Sequence, residues 1–371
     1  MVLTISSFLL TAILFVIACS TDDQLSATPV HTISPELVLT ADSLESLLYF
    51  GAISDVACLS DGSIAVLDRL TAQVMLFNQQ GDFLHAVGGL GEGPHEFSSP
   101  DALVPINSGS FFVLDKSAQR VTEFGNDGSL IDNVETLSGS FPSWPVNCGS
   151  GEFIGGFTAI DASGNDFNLA YRVCSFTIDL AVIDTLFTNS VPLNDYSDIT
   201  YTLSNTIYSC AFTADTMGNV FIAPISTSEY SIYGYDTDNV QFLQIENELP
   251  RIGKSSAEIA SEAERINSAL RARNPGYSGS YTPCEYRYMI QPQGLHADNA
   301  GRLWVLRGTS ANPVYDVYDY QGRHLFEVSV MGLHPEDTSD VLWWCISSQK
   351  ILAFSIDPVN EPVVYVFNIT F

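Results

Sequence analysis

Three stretches of this sequence place charged residues six positions after a glycine in a short polar turn. Gly62 leads to Asp68-Arg69, Gly109 to Asp115-Lys116, and Gly301 to Arg307. Carboxylates and cations gathered at one rim can grip a polar ligand through charge-assisted hydrogen bonds, the stronger class of side-chain hydrogen bond. The same residues also suit solvated turns paired with their neighbours, and exposed pairs of that kind stabilise little. His296 is a second candidate. An imidazole facing an interior channel can ligate a metal or shuttle protons, or simply pack and hydrogen-bond to backbone. A metal site needs several converging ligands, and His31, His85, His95, His324 and His334 do not fall at equivalent places. There is no G-x-S-x-G, no H-E-x-x-H, no D-x-[DN]-x-[DN]-G calcium loop and no C-x-x-C. No catalytic set assembles, and neither a metal nor a cofactor is expected.

A repeat positions these candidates. Four clear copies of one pattern surround Gly62, Gly109, Gly218 and Gly301, and two weaker copies surround Gly151 and Gln349. Each copy runs from a short apolar strand through a tight turn into a β-branched and aromatic run with alternating exposure. A polar loop, a third strand, a second turn such as Gln80-Gly81-Asp82 or Gln321-Gly322-Arg323, and a last strand complete it. Four antiparallel strands repeated at about 40–50 residues predict an all-β propeller, here of six blades. In such a ring the innermost strands line a central channel and the loops leaving each second strand gather on one face. That places Asp68, Arg69, Asp115, Lys116 and Arg307 on one rim, and His296 in an inner strand. The segment from Gly88 to Phe97, GGLGEGPHEF, reaches the same face; its glycines suit a turn better than a phosphate cradle, because no helix N-terminus follows.

The propeller spans 36–371, with an insertion at 250–292 between the copies at Gly218 and Gly301. Within it, residues 255–273 read as a helix: Ser255 and Glu258 form a capping box, Ile259, Ala263, Ile266 and Leu270 share one face, and Asn274-Pro275-Gly276 stops it. Tyr277, Tyr281, Tyr286 and Tyr288 either hold this insertion down or make it a lid. The last copy lacks one strand, and Glu36–Thr40 is the candidate to supply it, closing the ring and covering its open edge.

The N-terminal residues 1–19 read as an export signal ending in Val16-Ile17-Ala18-Cys19. Acylation of Cys19 would anchor the protein to a membrane. An uncleaved anchor helix and an ordinary cleaved signal are the alternatives, and all three place the remainder outside the cytoplasm. Residues 20–35 read as a polar tether. Six further cysteines, Cys58, Cys148, Cys174, Cys210, Cys284 and Cys345, allow fifteen disulfide pairings, among which the sequence does not choose. A net charge of −29 excludes nucleic acid as a partner, since phosphate binding needs clustered cations. That charge serves solubility or a cation-binding surface.

The copies resemble NHL repeats: Gly294-Leu295-His296-Ala297-Asp298 through Gly301 to Leu303-Trp304-Val305 follows their pattern, with Gln293 in the proline slot, and Asp215 to Ile222 matches its second half. The segment Gly88 to Phe97 resembles the G-x-G-x-G-P-G-E-F stretch of six-bladed propeller lipoproteins of Bacteroidetes type, with His95 in place of one glycine. The resemblance covers most of residues 36–371. It implies an exported lipoprotein held at a periplasmic or cell-surface face, but little about function, because this fold hosts binding proteins and enzymes alike. Two readings follow. The first is a binding or scaffold module for a peptide, glycan or protein partner. The second is a metal-dependent lyase or lactonase-like hydrolase using calcium or zinc in the channel. The Glu, Asn and Asp set of gluconolactonase-type propellers does not assemble here.

Overall fold

The six copies fold as six separate sheets. The computed structural model describes residues 28–41, 49–106, 108–136, 141–149, 151–163, 166–192, 210–273, 275–276, 278, 280–309, 312–333, 342–355 and 361–371. The export signal with Cys19, together with Tyr277 and His334, lies outside them. The chain enters through β1 (Val30–Ile33) and β2 (Leu37–Leu39). Blade 1 then comprises β3 (Ile53–Cys58), β4 (Ile64–Asp68), β5 (Gln73–Phe77) and β6 (Phe83–Gly88). Blade 2 comprises β7 (Pro100–Ile106), β8 (Ser110–Asp115), β9 (Arg120–Gly125) and β10 (Leu130–Glu135). Blade 3 has longer strands: β11 (Ser143–Asn147), β12 (Phe153–Ser163), β13 (Asp166–Phe176) and β14 (Val182–Pro192). Blade 4 is built from β15 (Cys210–Ala214), β16 (Val220–Pro224), β17 (Tyr230–Tyr235) and β18 (Gln241–Asn247). The helix α1 (Ser256–Arg273) follows. Blade 5 is β19 (Leu295–Ala297), β20 (Arg302–Thr309), β21 (Asn312–Asp319) and β22 (His324–Val330). Blade 6 holds β23 (Leu342–Ile346), β24 (Lys350–Ser355) and β25 (Val364–Asn368).

No four-stranded sheet hides its own apolar face, so each blade packs both faces against neighbours. The core is accordingly six apolar clusters, one between each adjacent pair. Ala57, Leu67, Leu76, Phe97, Phe111 and Phe124 fill the space between blades 1 and 2, for example. This corrects one expectation. The second strands do not alternate in exposure: β4 and β8 are buried at every position, because a sheet covered on both sides needs apolar residues on both.

The turns behave as their residues dictate. Gly62, Gly109, Gly151, Gly218 and Gly301 take φ between 75° and 92°, a region that costs residues with a Cβ. Blade 6 has Gln349 instead, and there Ser347 Oγ accepts the N–H groups of Gln349 (3.3 Å) and Lys350 (2.9 Å). Carboxylates perform the same task elsewhere. Asp215, Asp236, Asp298 and Asp319 each accept two backbone N–H groups of their own turn. Part of the acidic excess is therefore turn chemistry.

The ring closes as expected. β2 pairs antiparallel with β25, Leu37 opposite Val366 and Leu39 opposite Val364, and Glu36 N–H donates to Val366 O at 2.9 Å. The preceding stretch departs from the reading of 20–35 as a tether. Residues 30–33 form β1, a fifth strand added parallel to β22, with His31 stacked on Phe371 at 4.0 Å. Strand addition uses backbone groups, so the polar composition of this stretch did not forbid it. In the insertion, Glu258 Oε2 accepts Ser255 N–H (2.8 Å) and Ser255 Oγ accepts Glu258 N–H (3.2 Å), a complete capping box.

Candidate channel site

The innermost strands β3, β7, β11, β15, β19 and β23 enclose a cavity of about 670 Å³ along the ring axis. Its wall changes character from blade to blade. Asp55 and Cys58 come from blade 1, Asp101 from blade 2, Trp144 from blade 3, Thr213 from blade 4, His296 from blade 5, and Trp343 and Cys345 from blade 6. Blades 3 and 6 stand opposite one another. The Trp144 and Trp343 rings nevertheless meet, with centroids 5.7 Å apart, so an aromatic pair bridges the channel. The backbone is bent to allow this. Register shifts between Ser143 and Val146, placing a β-bulge at Trp144-Pro145, and Trp144 holds φ at 55°. A left-handed tryptophan costs on the order of 1–3 kcal/mol, a strain that in other proteins clusters at working sites.

The five charged residues expected at one rim are divided among three roles. Asp68 and Asp115 are fully buried. Asp68 accepts N–H groups from Gly51, Ala52 (3.2 Å), Leu70 (2.9 Å) and Thr71 (3.1 Å). Asp115 accepts those of Ser98 (2.6 Å), Ser99 (3.1 Å) and Ala118 (3.0 Å). Each staples the strand entering its blade to the turn after β4 or β8, which leaves neither carboxylate open to a ligand. Arg69 and Lys116 do line the cavity, with Asp101 between their charges.

Arg307 turns away to the junction of blades 4 and 5. Its guanidinium pairs with Asp316 and Glu327, each at 2.9 Å. Asp316 also accepts the Tyr230 hydroxyl (3.1 Å), whose oxygen lies 3.2 Å from the Tyr318 hydroxyl, and Tyr318 accepts the Asn247 side-chain N–H (2.7 Å). Burial pushes the Asp316 carboxyl up, against the pull of Arg307. Among the described residues, Asp316, His324 and Glu327 are the one grouping of three side chains within metal-ligating reach of each other. It lies in this junction, and Arg307 already bridges both carboxylates with a positive charge.

His296 lines the cavity from β19, opposite Trp304. Burial lowers its pKa to about 4, keeping the imidazole neutral, and its Nε2 is buried without a hydrogen-bond partner. Gln293 also lines the cavity, at φ 56°, and its Nε2 is likewise buried and unpartnered. Two orphaned nitrogens on one wall are costly unless something pairs with them. Asp55 contributes a carboxyl that accepts Leu103 N–H and Val56 N–H, both at 2.8 Å, tying blade 1 to blade 2. Burial pushes its pKa up to about 7.

Two other segments resolve into structural roles. In Gly88 to Phe97 the Glu96 carboxylate accepts Gly93 N–H (2.9 Å), Arg120 donates to Gly93 O and Glu96 O, and Phe97 is buried beside Phe124. The loop thus supplies its own anion, and its glycines serve the turn. The insertion is held to itself and to blades 4 and 5, where Met289 N–H donates to Ser226 O (2.8 Å) and Gln291 N–H to Leu306 O (2.9 Å). Tyr281 packs with Leu270 and exchanges hydrogen bonds with Asn267, and the Arg251 guanidinium lies 3.6 Å over the Tyr286 ring. None of the described residues from 250 to 292 lines the cavity.

The tryptophans were not singled out from sequence, although Trp144-Pro145 and Trp343-Trp344 sit just before the first turns of their copies. An aromatic beside proline in a strand otherwise expected to be regular was the available signal.

A family model described as a 6-bladed β-propeller matches residues 44–214. No curated protein matches the chain. Among solved structures the chain is similar to regucalcin, a calcium-binding protein of Agrobacterium tumefaciens, at 12% identity over 92% of this chain and 97% of that one, with a TM-score of 0.45. It is similar to a Bacteroides vulgatus protein from a family of unknown function at 11% identity over 91% and 96%, TM-score 0.47. Virginiamycin B lyase of Staphylococcus aureus follows at 10% over 90% and 99%, TM-score 0.40. No helix among the described residues is long and apolar enough to cross a membrane. The chain folds as a six-bladed β-propeller.

Proposed function

We propose that this protein is a binding module whose central channel receives a projecting segment of a peptide, glycan or protein partner. The observation that carries this reading is a cavity lined by all six innermost strands, bridged by Trp144 and Trp343 and bordered by Arg69, Lys116, Gln293 and His296. Polar and charged side chains beside aromatic faces suit a ligand that is polar at its edges and flat or apolar in its body. A cavity of about 670 Å³ is within the range of small-ligand pockets. Arg69 and Lys116 add positive charge at the wall of a protein that is otherwise acidic.

Glycan and peptide arrays probed with the labelled protein, followed by calorimetry on the hits, test this. Trp343→Ala and His296→Ala should each weaken binding at least about tenfold, or about 1.4 kcal/mol. A ligand bound equally well by both variants would place the site elsewhere. Stoichiometric uptake of calcium or zinc with a rise in melting temperature would favour the channel lyase or lactonase instead. The reading includes export and anchoring through Cys19, in the manner of propeller lipoproteins. Radioactive palmitate should label the wild type and not Cys19→Ser.

A further inference from the structure

All six cysteines from Cys58 onward are free thiols, and two of them meet. Cys58 ends β3 in blade 1, and Cys345 lies in β23 of blade 6. Each precedes the first turn residue of its blade, Gly62 or Gln349, by four positions. β3 and β23 touch across the seam where the ring closes, the two side chains pack against the same apolar cluster between blades 6 and 1, and both line the channel cavity. Cys148, Cys174 and Cys210 are buried, and Cys284 is exposed on the insertion. Thiols on adjoining strands that share one apolar cluster can reach bonding geometry through side-chain rotation.

We propose that Cys58 and Cys345 form a reversible dithiol–disulfide pair that locks the first blade to the last from inside the channel. The oxidant is a small organic disulfide that enters the channel. Cys58 Sγ attacks one of its sulfurs as the thiolate; the external S–S bond breaks and one thiolate leaves. Cys345 then gives its proton to solvent and displaces the second external thiol from the mixed disulfide. Two protein thiols are oxidised and one disulfide is reduced to two thiols. The surroundings assign the order of attack. The neighbouring Cys345, with Ser347 and the charge of Lys350 nearby, holds the Cys58 thiol below its ordinary value, and the proximity of Cys58 together with burial holds Cys345 well above it. The position gives the bond its effect. The chain reaches blade 1 from blade 6 only through the outer strand β2, and the three inner strands β23, β24 and β25 are joined to blade 1 by non-covalent contacts alone. A bond between the two cysteines closes a loop comprising most of the sequence, which strongly restricts the unfolded chain.

The experiment uses the full chain, equilibrated with oxidised glutathione or with dithiothreitol, alkylated, digested and mapped by mass spectrometry. The oxidised sample should yield a linked peptide containing Cys58 and Cys345, with Cys148, Cys174, Cys210 and Cys284 alkylated after unfolding. Its melting temperature should exceed that of the reduced sample by about 5 °C or more. Cys345→Ser should trap glutathione on Cys58, whereas Cys58→Ser should leave Cys345 unmodified at the same exposure. Full alkylation of both thiols after oxidation, a stable glutathione adduct on the wild type, or pairing with another cysteine would each overturn the proposal. The wild-type peptide map decides the matter even if a serine variant fails to fold.

Discussion

The junction between blades 4 and 5 and the seam between blades 6 and 1 join neighbouring sheets with different chemistry. At the first, a polar network surrounds Asp316: Arg307 and Glu327 from blade 5, Tyr230 and Asn247 from blade 4, and Tyr318 between them. At the second, the apolar side chains of Leu39, Val56, Phe77 and Val364 pack together, and buried Lys350 donates to Gln79 O of blade 1 and to the Asn368 side chain, each at 3.1 Å. β2 lies over this seam as the outer strand of blade 6, with Leu37 packed against the turn at Gly81 in blade 1. The chain already holds blades 4 and 5 as neighbours, so their contact can carry a charged cluster whose strength depends on every member being present. At the seam the chain ties blade 1 only to β2, and the inner strands of blade 6 are held there by backbone pairing, apolar burial and the Lys350 hydrogen bond rather than by a cluster of paired charges.

That contrast can be broken first at the seam. Leu39 is fully buried in the cluster that spans it, so Leu39→Asp places a carboxylate there and weakens the β2–β25 pairing. We expect a loss of about 4 kcal/mol or more in urea unfolding. Deleting residues 36–40 should act in the same direction, and an unchanged melting point would show that β2 does not close the ring. The next largest effect belongs to the other junction. Arg307→Ala strands Asp316, which is nearly buried, beside Glu327. The expected cost is about 3 kcal/mol. Adding Asp316→Asn to that variant should recover part of it, and a double variant no better than the single would mean the charges do not couple.

The smallest effect concerns Asp55, where blade 1 meets blade 2, and it reads out as a pH dependence. Its folded pKa of about 7 lies above the ordinary carboxylate value, so between about pH 4 and pH 7 the folded protein holds a proton that the unfolded chain has released. Stability from this group is complete below that window and is lost as pH rises through it. Asp55→Asn should flatten this decline, separating from the wild type by about 1–3 kcal/mol at pH 8 relative to pH 4. His296 acts oppositely: its pKa is depressed to about 4, so its contribution is lost as pH falls from about 6.5 toward 4. Comparing wild type with Asp55→Asn cancels that background. Parallel pH profiles for the two proteins would contradict the Asp55 assignment.

The repeat was legible because turns leave a residue-level mark. Five of six first turns carry a glycine at positive φ, and counting from them places every blade. The capping box of α1 and the closing strand Leu37–Leu39 were legible for the same reason: local chemistry determines them. What was not legible depends on which backbone groups converge. Asp68 and Asp115 look like surface charges in sequence, yet the N–H groups of distant segments, Gly51-Ala52 and Ser98-Ser99, meet on them only once the blades assemble. The Trp144–Trp343 pair and the meeting of Cys58 with Cys345 are likewise products of the ring, joining strands from blades far apart in sequence.

The fifth strand on blade 5 sets where the protein can be held. β1 runs along the outer edge of β22, so the chain arrives at the circumference of the disc and then crosses to the edge of blade 6. Whatever force or attachment acts on the chain ahead of Val30 pulls on the rim.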